Sequence, residues 1–178
     1  MIFATSQRAL LWLISWQMRF PALENLSFFQ GLSEEDLALL APCLRTQRLR
    51  AGALIFDQGE AAEFFYLLVR GEVVIRYKPE DGPALTVTRV RPGEVFGWSA
   101  AMGNETYTSA AVCERDSEVL QIRGDALRSL CLGNPRAGEL IRARLAAVVA
   151  EREKSRQRVV KMLNADASTQ RAQGGRYA

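Results

Sequence analysis

The 178-residue chain has no histidine. Metal centres built on imidazole and a catalytic triad with a histidine base are therefore excluded. Cysteine is scarce: Cys43, Cys113 and Cys131 show no paired spacing and no C-x-x-C, which fits buried thiols in a reducing compartment. No P-loop is present. Paired acids occur at Glu34-Glu35 and Glu80-Asp81, in helix-start and turn contexts that make them surface residues. Nothing in this inventory supports an enzyme, a cofactor or a metal site. Long apolar runs are also missing, since the longest candidate, residues 9–16, falls well short of the roughly 20 residues that span a bilayer.

The chain is long enough for one sizeable core with appendages and too short for a second folded domain. Short runs rich in β-branched and aromatic residues, at 64–69, 72–78, 85–90, 108–113 and 118–122, are separated by Gly, Pro, Asp or Asn. That spacing predicts a β-sandwich or barrel. Val73, Ile75 and Tyr77 alternate with Val74, Arg76 and Lys78, giving one buried and one wetter face, and residues 79–82 supply a polar hairpin loop. Gly71 marks a tight turn that needs positive φ.

Helices bracket this core. Ser33 and Asp36 form a capping box, with Leu32 and Leu37 at staple spacing, so a helix starts there and ends near residues 42–44. Asp125 caps a short helix closed by Gly133. Asn134-Pro135 opens a long one, uninterrupted by Pro or Gly from Gly138 to Gly174. Its residues Ile141, Leu145, Val148, Arg152, Ser155, Val159 and Met162 follow a 4-3-4-3-4-3 spacing with two polar residues mid-stripe. A dimer seam is the favoured reading; a helix lying on its own barrel, for which residues 141–148 suffice, is the other. Beyond Val149 the helix is too polar to pack on a core.

Three blocks, in order, resemble the cyclic-nucleotide-binding domains of the catabolite-activator and protein-kinase regulatory-subunit families. Residues 27–44 are similar to the helix that precedes the barrel. Residues 52–78 look like the family's G-x-x-I-x-x-Q-G-[ED] turn and F-Y-x-[LIV]-x-x-G-x-[VL] strand pair, with Gly52, Gly59 and Gly71 at the turns. Residues 91–113 resemble its phosphate-binding cassette through Phe96, Gly97, Ala100, Ser109, Ala110 and Val112. The resemblance covers residues 28–162 and implies a mainly β fold with flanking helices: a jelly-roll-like barrel, or double-stranded β-helix, with N-terminal helices and a long C-terminal helix. The boundaries expected are an unassigned segment at 1–22, the β-domain at 23–133, a dimerisation helix at 134–164 and an unstructured tail at 165–178.

The cassette departs from the family at its two most informative positions. Trp98 stands where the resemblance implies an acid for the ribose hydroxyl, and Thr108 where it implies an arginine for the cyclic phosphate. Gly97, Ser99, Ala100 and Ser109 can still offer backbone N–H groups to an anion. Without an arginine the charge-assisted partner is lost, and cyclic AMP or GMP binding is the least favoured reading. The candidate pocket comprises Phe96, Gly97, Trp98, Ser99, Ala100, Tyr107, Thr108, Ser109 and Ala110; Trp98 either fills it or walls a site for a different, more apolar ligand.

From Arg142 onward nine Lys or Arg face three Asp or Glu, net +6, against −3 for the remainder. A basic helix attracts nucleic acid or acidic membrane, and a solvated helix face explains the same residues. The residues after Met162 are too few for the winged helix-turn-helix of catabolite-activator-like factors, so sequence-specific DNA binding is not expected. Residues 9–16 are an amphipathic element on the barrel or at a membrane periphery, a product of an upstream start codon, or a weak export signal. The expectation is a cytoplasmic, homodimeric, non-enzymatic regulatory module with an altered or vacant pocket and an unknown small-molecule ligand or partner protein. A constitutive interaction scaffold that uses the barrel and basic helix is the alternative.

Overall fold

The apolar run at the heart of the fold, FFYLLV at 64–69, needs cover on both faces, and it has it. The computed structural model describes residues 28–80 and 82–174. In chain order these form α1 (Glu34–Leu40), a 3₁₀ turn (Ala41–Cys43), β1 (Leu44–Leu49), β2 (Leu54–Phe56), β3 (Phe64–Arg70), β4 (Val73–Tyr77), β5 (Leu85–Val90), β6 (Val95–Phe96), α2 (Trp98–Met102), β7 (Ala110–Cys113), β8 (Ser117–Arg123), α3 (Gly124–Gly133) and α4 (Pro135–Gly174). Two antiparallel four-stranded sheets result, ordered β1-β8-β3-β6 and β2-β7-β4-β5. They make a jelly roll whose sheets do not close into a barrel.

Period-two alternation assigns the side chains of β3. Tyr66 and Leu68 join Val73, Ile75, Val90, Phe96 and Val119 between the sheets. Phe65 and Leu67 point the other way, into a second cluster where Leu37, Leu127, Ile141 and Leu145 of α1, α3 and α4 cover the sheet. The register pairs Phe65 with Ile122 and Leu67 with Leu120, so β8 shares this division.

The caps that start α1 and α4 are those read from the chain, whereas α3 ends with Gly133 as its last helical residue and Asn134 at the C-cap. Ser33 Oγ accepts from Asp36 N at 3.2 Å and Asp36 Oδ2 accepts from Ser33 N at 3.0 Å. Asn134 Oδ1 accepts from Ala137 N at 3.1 Å, and its Nδ2 donates to Asp36 Oδ1, tying the start of α4 to that of α1. Gly71 has φ 95°, and a Cβ there would lie 2.3 Å from Ser117 Oγ, so no larger residue fits.

Other expectations need correction. Asp125 is not the cap of α3: Arg123 holds that position, and Asp125 in the first turn accepts from Ala126 N and pairs with Arg123. β1 carries no apolar alternation, since LRTQRL buries only its first residue fully, and it escaped the pattern for that reason. Strand β7 begins at Ala110, leaving Thr108 and Ser109 in the loop before it. Val74 is as buried as Val73. Only Cys113 is fully buried, Cys43 and Cys131 being half-buried, and all three are unpaired. Helix continues to Gly174, past the expected end at residue 164, because the stretch contains no Pro or Gly to stop it. The expectations for residues 1–27 lie outside the described residues.

Candidate functional site

At the end of β6 the chain must turn sharply to start a helix one residue later, and Gly97 makes this possible. It adopts φ 71°, and a Cβ on it would meet Tyr66 Cδ2 at 2.9 Å and Phe64 O at 3.0 Å. The cassette helix α2 follows and is closed by Gly103 at φ 81°. On its far side Gly124 packs so closely that a Cβ would come within 2.3 Å of Ala100 O, while Arg128 donates to that same oxygen. Sheet and α3 thus grip the cassette from two directions.

Beneath it the space is filled. Tyr107 stacks on Phe56 with centroids 3.8 Å apart, and Tyr66 stacks on Phe96 at 5.1 Å. The Tyr107 hydroxyl donates to Phe64 O at 2.6 Å and accepts from Phe64 N at 3.0 Å, so its polar tip is satisfied. Burial raises the pKa of both phenols, which stay neutral. What remains between Phe56, Gly97, Trp98, Tyr107 and Ser109 is about 10 Å³, room for about one water at most.

The structure therefore divides the nine candidate pocket residues. Phe96, Ala100 and Tyr107 are core. Trp98, Thr108 and Ser109 line a cavity of about 260 Å³ at the cassette mouth, together with Ile75, Tyr77, Val87 and Thr88 of β4 and β5. Gly97 and Ser99 border only the residual space beneath, and neither cavity includes Ala110.

The fourth wall of the mouth comes from α4, through Val149, Arg152 and Glu153. The first turns of the stripe expected as a seam lie on the chain's own sheet. Ile141 and Leu145 are spent on the chain's own core, Val148 packs against it, and Arg152 lies over Trp98, with its guanidinium carbon 5.9 Å from the ring centroid. Ser155 is half-buried and donates to Glu151 O; the side chains of Val159 and Met162 lie outside the described ones. Residues 141, 145, 148 and 152 fall on one helical face, and that face lies on the chain's own sheet over these turns.

Arg152 was absent from the expected pocket, although a cation in an apolar stripe signals a special contact. Only 11% of its side chain is exposed, and its nearest acid, Glu94 Oε2, stands 3.8 Å from Nη2. Burial lowers the guanidinium pKa, partly countered by Glu94 and Glu151. Its Nη1 has no hydrogen-bond partner among the described residues. On its other side Arg152 also borders a groove of about 430 Å³ toward Phe28 and Val95.

The family model of the cyclic nucleotide-binding domain matches residues 46–134, half of the chain and the whole of this cassette. The chain belongs to that family. It is 27% identical over 117 residues to the CRP-like cAMP-activated global transcriptional regulator of Mycobacterium tuberculosis, covering 66% of this chain and 52% of the regulator. To the cAMP-dependent protein kinase regulatory subunit of Aspergillus fumigatus it is 28% identical over 108 residues, 61% of this chain and 25% of the subunit. Thus the chain spans about half, or less, of these curated relatives. Among solved structures, one assigned to the cyclic nucleotide-binding proteins of Geobacter metallireducens GS-15 superposes with a TM-score of 0.66 at 30% identity, covering 74% of this chain and 96% of that one. These relatives of the cyclic nucleotide-binding domain are regulators, and among the described residues no group of acids and cysteines could hold a metal ion. No described helix is long and apolar enough to cross a membrane.

Proposed function

We propose that this chain is a non-enzymatic regulatory module whose cyclic-nucleotide pocket has been altered so that it no longer reads cyclic AMP or GMP. The observation that carries this reading is the pair of side chains at the cassette: Trp98 lines both the residual space of about 10 Å³ and the open mouth of about 260 Å³, and Thr108 brings no cation. A cyclic phosphate there would lack its charge-assisted partner, and a ribose would meet an indole. What remains open is the mouth, walled by α4, so any signal is exchanged between the mouth and that helix. A ligand acts only through its differential affinity for the arrangements of α4.

Calorimetry tests this. Wild type should show no heat with cyclic AMP or GMP up to millimolar concentration, while Trp98→Glu with Thr108→Arg should acquire measurable affinity for cyclic AMP. Micromolar binding by wild type contradicts the reading.

Two companion features belong to the proposal. The chain acts in the cytoplasm, and it self-associates through the distal part of α4. Support for the second comes from geometry: 40 residues make a rod of about 60 Å, and the two cavities it borders meet it between Arg144 and Ser155. A second reading, the constitutive scaffold, is favoured by the exposed basic residues Lys154, Arg158 and Lys161 on that rod.

A further inference from the structure

The family's cassette arginine is gone, yet the mouth still has a buried cation. Arg152 reaches it from α4, and its fork of five N–H donors is under-used there. One contact is a 3.8 Å approach to a half-exposed carboxylate, another the face of Trp98, and Nη1 has no partner among the described residues. Burying a guanidinium in this way is unfavourable unless something completes its hydrogen bonds. The cavity it borders has apolar walls from Ile75, Val87, Trp98 and Val149, with the hydroxyl-bearing Tyr77, Thr88, Thr108 and Ser109 between them, and Glu153 of α4 stands in its lining beside Arg152. Apolar walls with a few convergent polar groups are the usual make-up of a small-molecule site. At about 260 Å³ it lies below the roughly 300–1,000 Å³ of drug-sized sites, so the occupant is smaller than a nucleotide.

From this arrangement we infer that the mouth binds a small organic oxyanion, a carboxylate or phosphate monoester on an apolar body, with Arg152 as its cation. The inference rests on the altered-pocket reading and supplies its ligand class. The charge that the family places on the cassette loop is delivered by the long helix instead. Ligand and helix are thereby linked directly: the anion bridges Arg152 of α4 to the Ser109 side of the cassette, and a bound state holds α4 against the jelly roll more firmly than the free state. Glu94, the present neighbour of Arg152, competes with the ligand for the guanidinium.

The test uses benzoate, phenyl phosphate and inorganic phosphate as probes, with benzyl alcohol as the neutral control. Binding is read by calorimetry and by the ¹⁵N resonance of the Arg152 side chain, assigned with Arg152→Lys. Benzoate or phenyl phosphate should shift that resonance saturably, benzyl alcohol should not, and inorganic phosphate should bind at least tenfold more weakly for want of an apolar body. The stronger of the two aromatic anions identifies the headgroup. Arg152→Gln should lose at least tenfold in affinity while melting no lower than wild type, since it removes an incompletely paired buried charge. Arg152→Lys keeps the charge without the fork and should retain weakened binding, which guards against a fold defect in the Gln variant. No shift with any anion, or equal affinity of wild type and Arg152→Gln, overturns the inference. Cyclic AMP binding by wild type would instead overturn the altered-pocket reading, whatever benzoate does.

Discussion

Gly124 and Gly97 set the depth at which the cassette helix lies, one from the side of α3 and the other from the side of β3. Gly97 could be recognised as a turn glycine before the cassette helix, because its motif and the turn are adjacent in the chain. Gly124 could not: its reason is Ala100 O, a contact made only when α3 folds back on α2. Arg152 belongs with Gly124. Its polarity within an apolar stripe was visible, but its contacts Trp98 and Glu94 come from the far side of the sheet sequence and emerge only with the tertiary fold. Ser33, Asp36 and Asn134 are the opposite case, since a cap is decided within four residues. A prediction follows for Gly124→Ala. The added methyl would stand 2.3 Å from a backbone oxygen, which cannot rotate away as a side chain end could. The denaturation midpoint should fall by the equivalent of about 1–3 kcal/mol with the slope unchanged. An unchanged midpoint would mean that α3 shifts freely against the cassette.

Among the elements, α4 is where pattern and packing part company. A 4-3 spacing suits a two-helix seam and a helix on a sheet equally well over its first turns, so the stripe alone does not choose between them. The structure assigns Ile141 and Leu145 to the chain's own core. Leu145→Asp should consequently destabilise the chain itself, by more than about 3 kcal/mol, because a carboxylate would enter an apolar cluster at a site that is only 8% exposed. Chemical denaturation measures this. A stable, folded monomer from that variant, beside a dimeric wild type in sedimentation, would restore the seam and remove self-association through the distal helix. The strands show the same division in legibility: β3, β4, β5 and β8 carry apolar runs and were readable, whereas the mostly exposed β1 and the two-residue β6 have no such signal.

At the scale of the whole molecule, the missing histidine returns as a property of stability. No imidazole titrates between pH 5 and 8, and burial pushes the Cys113 and Cys131 thiols and the Tyr66 and Tyr107 phenols upward, away from that range. The melting temperature should therefore be flat from about pH 5 to 8. Below that, exposed carboxylates at the turns take over. Hydrogen bonds from Arg89 hold Glu114 at about 2, against an ordinary 4.5; the Ala51 amide, followed by Arg50, lowers Asp116; Arg123 lowers Asp125. A depressed folded pKa means that the proton is bound more readily when the chain is unfolded. For Glu114 the stabilisation is complete above about 4.5 and is lost as pH falls from there toward 2. Each pair is solvent-exposed and individually weak, so the acid fall is a sum over turns of both sheets. Arg89→Gln removes the partner that lowers Glu114 most. Its melting temperature should start lower at pH 7 and fall less steeply between pH 4.5 and 2, the two profiles converging at the acid end. Calorimetric scans across that range decide it: parallel profiles would show that the Arg89–Glu114 pair contributes nothing to folding, and a step between pH 6 and 7 would reveal a titrating group that the composition does not contain.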